Sequence, residues 1–456
     1  MRALVITGPG AALVDEVEPP VAGAGQVVVD VRRAGICGTD IELFTGEMAY
    51  FGQGKTRFPV RPGHEWCGVV SAVGAGVPEG WLGARVTGDT MLGCGRCSRC
   101  LAGRGHICAD RHEVGVMDWP GALAEQVMVP ASSLYRLPSR IDDAAGALVE
   151  PGGNAWRAAS AALAGPGRRV LVCGPGTIGL LSAAFAAAAG ALVDVLALDR
   201  AREELAYSFG AGAYWTIEHP PPMTYEAVID ATDDPRTPAL ALAATEPGGR
   251  LVCIGISGTP SLVDSRNLVF GDITAVGILG ASAGLAPAIE HYASGLVDPA
   301  GIAAVTVGLD RAAEALAGRV GTGSGTKIHV NPQAGLPARG PGGKRVARHP
   351  ECLRDASGGA DLPHPVDQPD RGTGCGEAVG LHPFQQRQQV DGAGCLLGAG
   401  TDAAAAVQRP DELGAMGVRC GVHTWPAILT GECTWVPKDP LLQRPLTSTQ
   451  TMTSLA

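Results

Sequence analysis

Four cysteines fall within 15 residues as Cys94-x2-Cys97-x2-Cys100-x7-Cys108. Thiolates so spaced can surround one tetrahedral zinc and leave no coordination position open, which makes such a site structural rather than catalytic. Gly95, Gly103 and Gly105 lie among them and let the backbone curl round an ion. Free thiols in a loop, or two strained disulfides, are the competing readings.

A second signal is Gly174-Pro175-Gly176-Thr177-Ile178-Gly179. Alone, a G-x-G-x-x-G is weak. Here it follows the apolar run Val170–Cys173 and opens an Ala-rich helix predicted over Leu180–Ala189, and Asp199 closes the next apolar run 20 residues after Gly179. That is the context of a dinucleotide site: a tight turn, backbone close to a pyrophosphate, and a helix N-terminus that favours the anion. Asp199 would accept from the adenosine ribose hydroxyls and repel a 2′-phosphate, favouring NAD over NADP. Arg200, directly after it, could tolerate that phosphate.

A third set is dispersed: Cys37 in Cys37-Gly38-Thr39-Asp40, His64 and Glu65 in Gly63-His64-Glu65, and Glu150 in Leu148-Val149-Glu150-Pro151. Singly these read as a small buried hydrophobe, a satisfied core histidine and a helix-end carboxylate. Together, one Cys, one His and one or two Glu are the three or four protein ligands of an open, catalytic zinc.

The elements that must position these groups change character along the chain. Residues 1 to about 140 hold many short β-type runs between Gly and Pro turns, such as Gln26–Val31, Trp66–Val70 and Ala124–Val129, which predict a compact antiparallel, barrel-like domain. From about 141, helical and apolar strand segments alternate. The strands are Val170–Val172, Ala191–Leu198, Ala227–Asp230 and Arg250–Ile254, the pattern of a doubly wound parallel sheet. A late helix is predicted over Asp310–Leu316 and a final strand over Thr326–Val330. The expected class is therefore α/β, with a β-rich domain ahead of the parallel sheet.

Composition narrows the partners. The chain has 456 residues, a formal charge of −10 and no Lys/Arg-rich block, which argues against nucleic acid. The longest apolar stretch, Ile178–Val193, is short for a membrane span and contains Ser182 and Gly190. Met1–Thr7 runs into Gly8-Pro9-Gly10 without an export-leader pattern, and clustered cysteines suit metal in a reducing compartment, so a cytoplasmic location is expected. Gly, at 66 residues, has no collagen period, and 31 Arg stand against 4 Lys; both fit the bias of GC-rich codons. After Pro332 the text loses periodicity: nine Gln and one Ile follow, against three and 15 before it. Residues 333–456 are expected to be unstructured. A shifted reading frame in GC-rich DNA, a linker or a lineage-specific tail would each have this composition.

Gly35-Ile36-Cys37-Gly38-Thr39-Asp40, Pro62-Gly63-His64-Glu65, the four-cysteine lobe and Gly174–Gly179 occur in an order that resembles the zinc-dependent medium-chain alcohol dehydrogenase superfamily, nearest its polyol (sorbitol-like) and threonine dehydrogenase branch. The resemblance covers about 1–332. It implies a GroES-like catalytic domain over 1–150 with a return segment at about 285–332, a Rossmann domain over 151–284, and a homodimer or homotetramer. In its terms Cys37 and His64 bind a catalytic zinc, with Glu65 and Glu150 as further ligands exchanging with water or substrate, while the four-cysteine lobe holds a structural zinc. Glu150, in place of a third Cys, points to the polyol/threonine branch. The implied reaction is hydride transfer between NAD and an alcohol whose oxygen is polarised by zinc, with Thr39 passing the proton outward. Many relatives carry His two residues after the Asp of this motif; here Glu42 stands there.

The substrate expected is a secondary alcohol or ketone of a polyol, sugar, cyclitol or hydroxy-amino acid, with Tyr50, Phe51, Trp66, Trp119 and Trp156 as candidate pocket aromatics. The rivals are an NADP-dependent simple-alcohol dehydrogenase or aldehyde reductase, and a non-catalytic zinc- and NAD-binding regulator, which would not need an open metal site. Metal analysis is expected to find two zinc ions per chain, one for each ligand set. Cys37→Ser should lose one of them and nearly all activity while the chain stays folded; unchanged activity would refute the assignment.

Overall fold

The computed structural model describes residues 1–323 and 325–335. The readings made for the chain from 336 onward lie outside the described residues. The longest strand, Gln26–Gly35, alternates β-branched side chains into a core where Val27, Val29 and Val31 are fully buried. Bulges at Val28/Val29 and Val31/Arg33 bend it, so its two ends serve different neighbours. Along one edge it pairs with Glu65–Val73; along the other it takes Gln126–Pro130 near its start and Lys327–Asn331 at its end. Arg85–Gly88 and Leu134–Arg136 extend the sheet one way and Ala303–Gly308 the other, giving seven strands. The last two strands thus come from far along the chain to close a sheet begun near residue 26. Gln333 follows them and donates from Nε2 to Val31 O and Glu125 O.

The second sheet has six strands, all paired parallel: Ala211–Thr216, Leu192–Ala197, Arg169–Cys173, Tyr225–Asp230, Thr245–Cys253 and Thr274–Gly277, in that spatial order. The order reverses direction between Arg169–Cys173 and Tyr225–Asp230, where an open α/β sheet forms its ligand crevice. One face is closed by the helices Val149–Ala161, Thr177–Ala188 and Leu285–Ser294 through Leu180, Leu181, Phe185, Leu285 and Ala288. On the other face Thr237–Ala244 covers Leu171, Val228 and Leu251. The apolar run Ile178–Val193 is accounted for by the helix Thr177–Ala188 and the start of the strand Leu192–Ala197. Among the described residues no helix is long and apolar enough to cross a membrane.

The expected helix–strand alternation fails at one crossover. Between Thr216 and Tyr225 the chain returns through Pro220, Pro221 and Pro222 without a helix. Proline supplies no backbone N–H and breaks helix continuation. The sheet face there is left under an open cavity of about 720 Å³, lined by Leu171, Leu196, Ile217, Met223 and Leu240 among others. Thr274–Gly277 is an edge of this sheet: among the described residues it pairs only with Thr245–Cys253.

Leu180 is fully buried where the Gly-rich helix meets the sheet. Leu180→Ala should cost about 2–5 kcal/mol, read as a lowered denaturation midpoint with the zinc content unchanged.

Candidate active site

Asp40 organises the first cluster. Its Oδ2 accepts from the Cys37 backbone N–H at 2.9 Å, closing the first turn of the helix Gly38–Thr45 as a capping carboxylate does. Its Oδ1 accepts from the Gly63 N–H at 3.0 Å and lies 3.5 Å from His64 Nδ1. One buried carboxylate therefore fixes the two loops that carry Cys37 and His64. Burial alone would raise its pKa, but His64 and the two N–H donors outweigh burial and hold it below the ordinary value. The same contacts act on His64: burial pulls its pKa down, yet Asp40 and Cys37 raise it well above the usual range.

Glu65 opens the strand Glu65–Val73, opposite Gly35 in register. A Cβ on Gly35 would fall 2.1 Å from Glu65 Oε2, so only glycine leaves the carboxyl room to lie there. Glu65 Oε1 accepts from Lys327 Nζ at 2.7 Å in the interior, with both side chains at most 5% exposed. Its other oxygen, Oε2, is buried without a hydrogen-bond partner. Ligand atoms of Cys37, His64 and Glu65 lie within 4.8 Å of one another. A half-buried soft sulfur, a buried imidazole and a buried carboxylate converging on one point suit zinc.

Glu150 sits in the first turn of the helix Val149–Ala161 and accepts from Asn154 Nδ2 at 2.8 Å. Burial is the main cause pushing its pKa up to about 7; the nearby Glu65 carboxylate adds to this, while His64 and Lys327 oppose it. It adjoins the three-residue cluster electrostatically but lies outside its tight ligand set.

The second cluster is Cys94, Cys97, Cys100 and Cys108, with all four sulfurs within 4.8 Å of one another and none in a disulfide. Gly95 and Gly103 take left-handed conformations, and a Cβ on Gly93 would fall 2.7 Å from Cys100 Sγ. Backbone N–H groups of Arg96 and Cys97 lower the Cys94 thiol to about 6, while burial and the other sulfurs push Cys100 up to about 11. Crowded thiols with such divided proton affinities fit a cation among them. His106, in the same lobe, lies 3.5 Å from Arg157, whose guanidinium donates to Leu279 O and Gly280 O, docking the lobe on the parallel-sheet half.

At the Gly-rich turn each glycine has a separate reason. Gly174 has φ +92°; Gly179 packs so closely that a Cβ would fall 1.8 Å from Gly174 O; above Gly176, the N-cap of the helix, the space is open. An anion can approach that helix end as a pyrophosphate would. Thr177 Oγ1 lies 2.8 Å from Thr326 Oγ1. Asp199 is exposed beyond its strand, with Oδ1 accepting from the Ala201 N–H, and Arg200 bonds Glu203 at 2.6 Å.

The candidate aromatics are not gathered into one lining. Trp66 is 1% exposed in the core, Trp119 donates its indole N–H to Met128 O, and Phe51 stacks on Phe58. Tyr50 bonds Glu113 and Arg111, and Trp156 packs against the core of the parallel-sheet half. Sequence reasoning passed over Lys327, Asp40 as a staple, and Asn154. Asn154 had a local signal, four residues after Glu150 on one helix face; Lys327 had none.

Two family models match the chain: an alcohol dehydrogenase GroES-like domain over residues 23–139 and a zinc-binding dehydrogenase over 177–294. L-threonine 3-dehydrogenase of Bacillus subtilis strain 168 is 33% identical over 283 residues, 59% of this chain and 80% of the relative. The enzyme of that name from Pyrococcus horikoshii is 34% identical over 297 residues, 61% and 83% of the two chains. The chain belongs to the zinc-dependent medium-chain dehydrogenase superfamily, in its threonine/polyol-dehydrogenase-like branch. Among solved structures, a short-chain alcohol dehydrogenase from E. coli CFT073 complexed with NADH superposes at a TM-score of 0.67 with 26% identity, covering 73% of this chain and 99% of that one. A zinc-binding dehydrogenase from Sinorhizobium meliloti 1021 bound to NADP does so at 0.67 with 27% identity and the same coverage. The coarse activity follows from the family: oxidoreduction by a zinc-binding dehydrogenase that uses NAD(P).

Glu150 generates a pH test on protein stripped of metal by chelator. Its folded pKa of about 7 is above the unfolded value, so the folded state holds a proton that the unfolded state releases. Stability on this account falls as pH rises from about 4.5 to about 7 and is flat above. Glu150→Gln should remove that limb and be more stable at pH 8 by about 3 kcal/mol, measured by denaturant unfolding across pH. Re-added zinc, which favours the ionised carboxylate, should narrow the difference.

Proposed function

We propose that the chain is an NAD(H)-dependent, zinc-containing dehydrogenase that interconverts a secondary alcohol and its ketone on a polyol, sugar, cyclitol (aminocyclitols included) or hydroxy-amino acid. One observation carries the reading: the Cys37, His64 and Glu65 ligand atoms converge within 4.8 Å. Lys327, which opens the last described strand, and Thr326 just before it touch that cluster and the Gly-rich helix. Cys37, His64 and Glu65 would hold the catalytic zinc, with Glu150 as a further ligand, and Cys94, Cys97, Cys100 and Cys108 the structural one. When bound, the catalytic zinc supplies Lewis acidity and the nicotinamide a hydride acceptor.

The chain's own residues do the rest. Asp40 orients His64 and fixes the Cys37 turn. Gly174, Gly176, Thr177, Ile178 and Gly179 form the pyrophosphate seat, and Asp199 receives the ribose hydroxyls. Thr39, two residues from Cys37, is the hydroxyl that would relay the substrate's proton outward, releasing its own toward the cofactor ribose and solvent as it accepts. Glu42, half-buried, is raised above the ordinary carboxylate range by burial and by Asp233 and Glu47, and it stands where many relatives carry His, so the outer end of the path differs from theirs. The exposed Asp199 carboxylate, with Arg200 engaged by Glu203, supports NAD. The NADP-bound relative keeps an NADP-dependent alcohol dehydrogenase as the second reading.

We further assign the protein to the cytoplasm, supported by eight described cysteines that are all free thiols. We assign it a homodimeric or homotetrameric state, supported by the open edge strand Thr274–Gly277 beside exposed Val269 and Phe270.

Steady-state assays over polyols, aminocyclitols, sugars and threonine should show turnover on at least one secondary alcohol. Oxidation with NAD should exceed that with NADP by at least about tenfold. Equal or faster turnover with NADP would sink the role given to Asp199. A fully inactive panel with both cofactors bound would favour the regulator.

A further inference from the structure

The dipeptide Thr326–Lys327 touches both halves of the site. Thr326 Oγ1 is bonded to Thr177 Oγ1, on the first residue of the Gly-rich helix, at 2.8 Å. Lys327 Nζ is bonded to Glu65 Oε1 at 2.7 Å; Glu65 Oε2 has no hydrogen-bond partner, and the carboxylate has an oxygen within 4.8 Å of the Cys37 and His64 ligand atoms. The backbone N–H groups of Thr326 and Lys327 share a single acceptor, Ile302 O, at 3.1 and 3.0 Å. Both backbone N–H groups thus hang on one carbonyl at the start of the strand ladder. Behind it Gly325 is packed so tightly that a Cβ would fall 2.6 Å from the Ala304 side chain.

Two physical constraints give this arrangement a direction. A threonine hydroxyl has one proton to give. An anion on the helix N-terminus that takes the Thr177 proton leaves Thr177 able only to accept from Thr326. A buried ammonium needs a counter-charge. Drawing the Glu65 carboxylate toward a cation leaves Lys327 short of one, in a residue adjacent to the link with the helix end. A negative charge seated there is then favoured. We propose that Thr326–Lys327 couples the dinucleotide seat to the Glu65 carboxylate, so that dinucleotide and catalytic zinc each tighten the binding of the other. The coupling rests on the zinc and dinucleotide sites of the proposed function and adds residues that act through others: both are positioning residues.

The test compares dissociation constants for NADH and NADPH, read by their fluorescence. It uses protein carrying two zinc ions per chain and protein dialysed against chelator until one remains. The preferred dinucleotide should bind about five- to tenfold more tightly to the two-zinc protein. By reciprocity, saturating dinucleotide should tighten zinc by the same factor. Thr326→Val, nearly isosteric and half-buried, should cut the factor to below about twofold. Lys327→Met should do the same and Lys327→Arg should restore most of it. A wild-type ratio of one, or an undiminished ratio in Thr326→Val, overturns the coupling while leaving the function intact. Failure of the chain to bind a second zinc or either dinucleotide refutes the function and the coupling together.

Discussion

A lysine and a glutamate 262 positions apart meet at 2.7 Å in the interior, and the architecture can be understood as what that meeting requires. Lys327 is on the last described strand; Glu65 opens a strand near the start. A buried ion pair of this kind needs tight geometry to offset the desolvation of both charges. The geometry comes from backbone register: Glu65 faces Gly35, and Gly35 faces His329 on the strand that carries Lys327. Three strands thus align one carboxylate, one ammonium and one missing side chain.

The parallel sheet is interposed in the chain between these partners, and this brings its crevice to the metal cluster. Its Gly-rich helix is bonded to Thr326, next to Lys327. The helix Val149–Ala161, which closes one face of that sheet, presents Glu150 in its first turn toward His64 and Glu65. The helix also carries Arg157, which anchors the four-cysteine lobe's His106 to Leu279 and Gly280. One helix therefore relates the two cysteine-bearing clusters to the dinucleotide sheet.

Electrostatics divide the acidic groups by role. Asp40 is surrounded by donors and remains ionised, a fixed staple. Glu150 is buried near another carboxylate and holds its proton to about pH 7 without metal. Glu65 is committed through one oxygen and available through the other. Three carboxyl groups in one neighbourhood thus differ in charge state and freedom because their partners differ, not their chemistry.

The sequence alone determined what closes over short distances. Four cysteines within 15 residues, and a G-x-G-x-x-G between an apolar strand and an Ala-rich helix, carry their geometry locally. Cys37, His64, Glu65 and Glu150 were legible as ligand types, and the switch from short strands to alternating helix and strand was legible as two layers of organisation. Tertiary structure alone decided that Glu150 stands outside the tight ligand set, that Trp66 is core, and that the crossover after Thr216 has no helix. It also decided that Lys327 and Thr326 belong to the site. The physical reason is range. A turn or a knuckle is specified by the few residues it contains, whereas the partner of a buried charge depends on strand register between segments hundreds of residues apart, which local pattern does not encode.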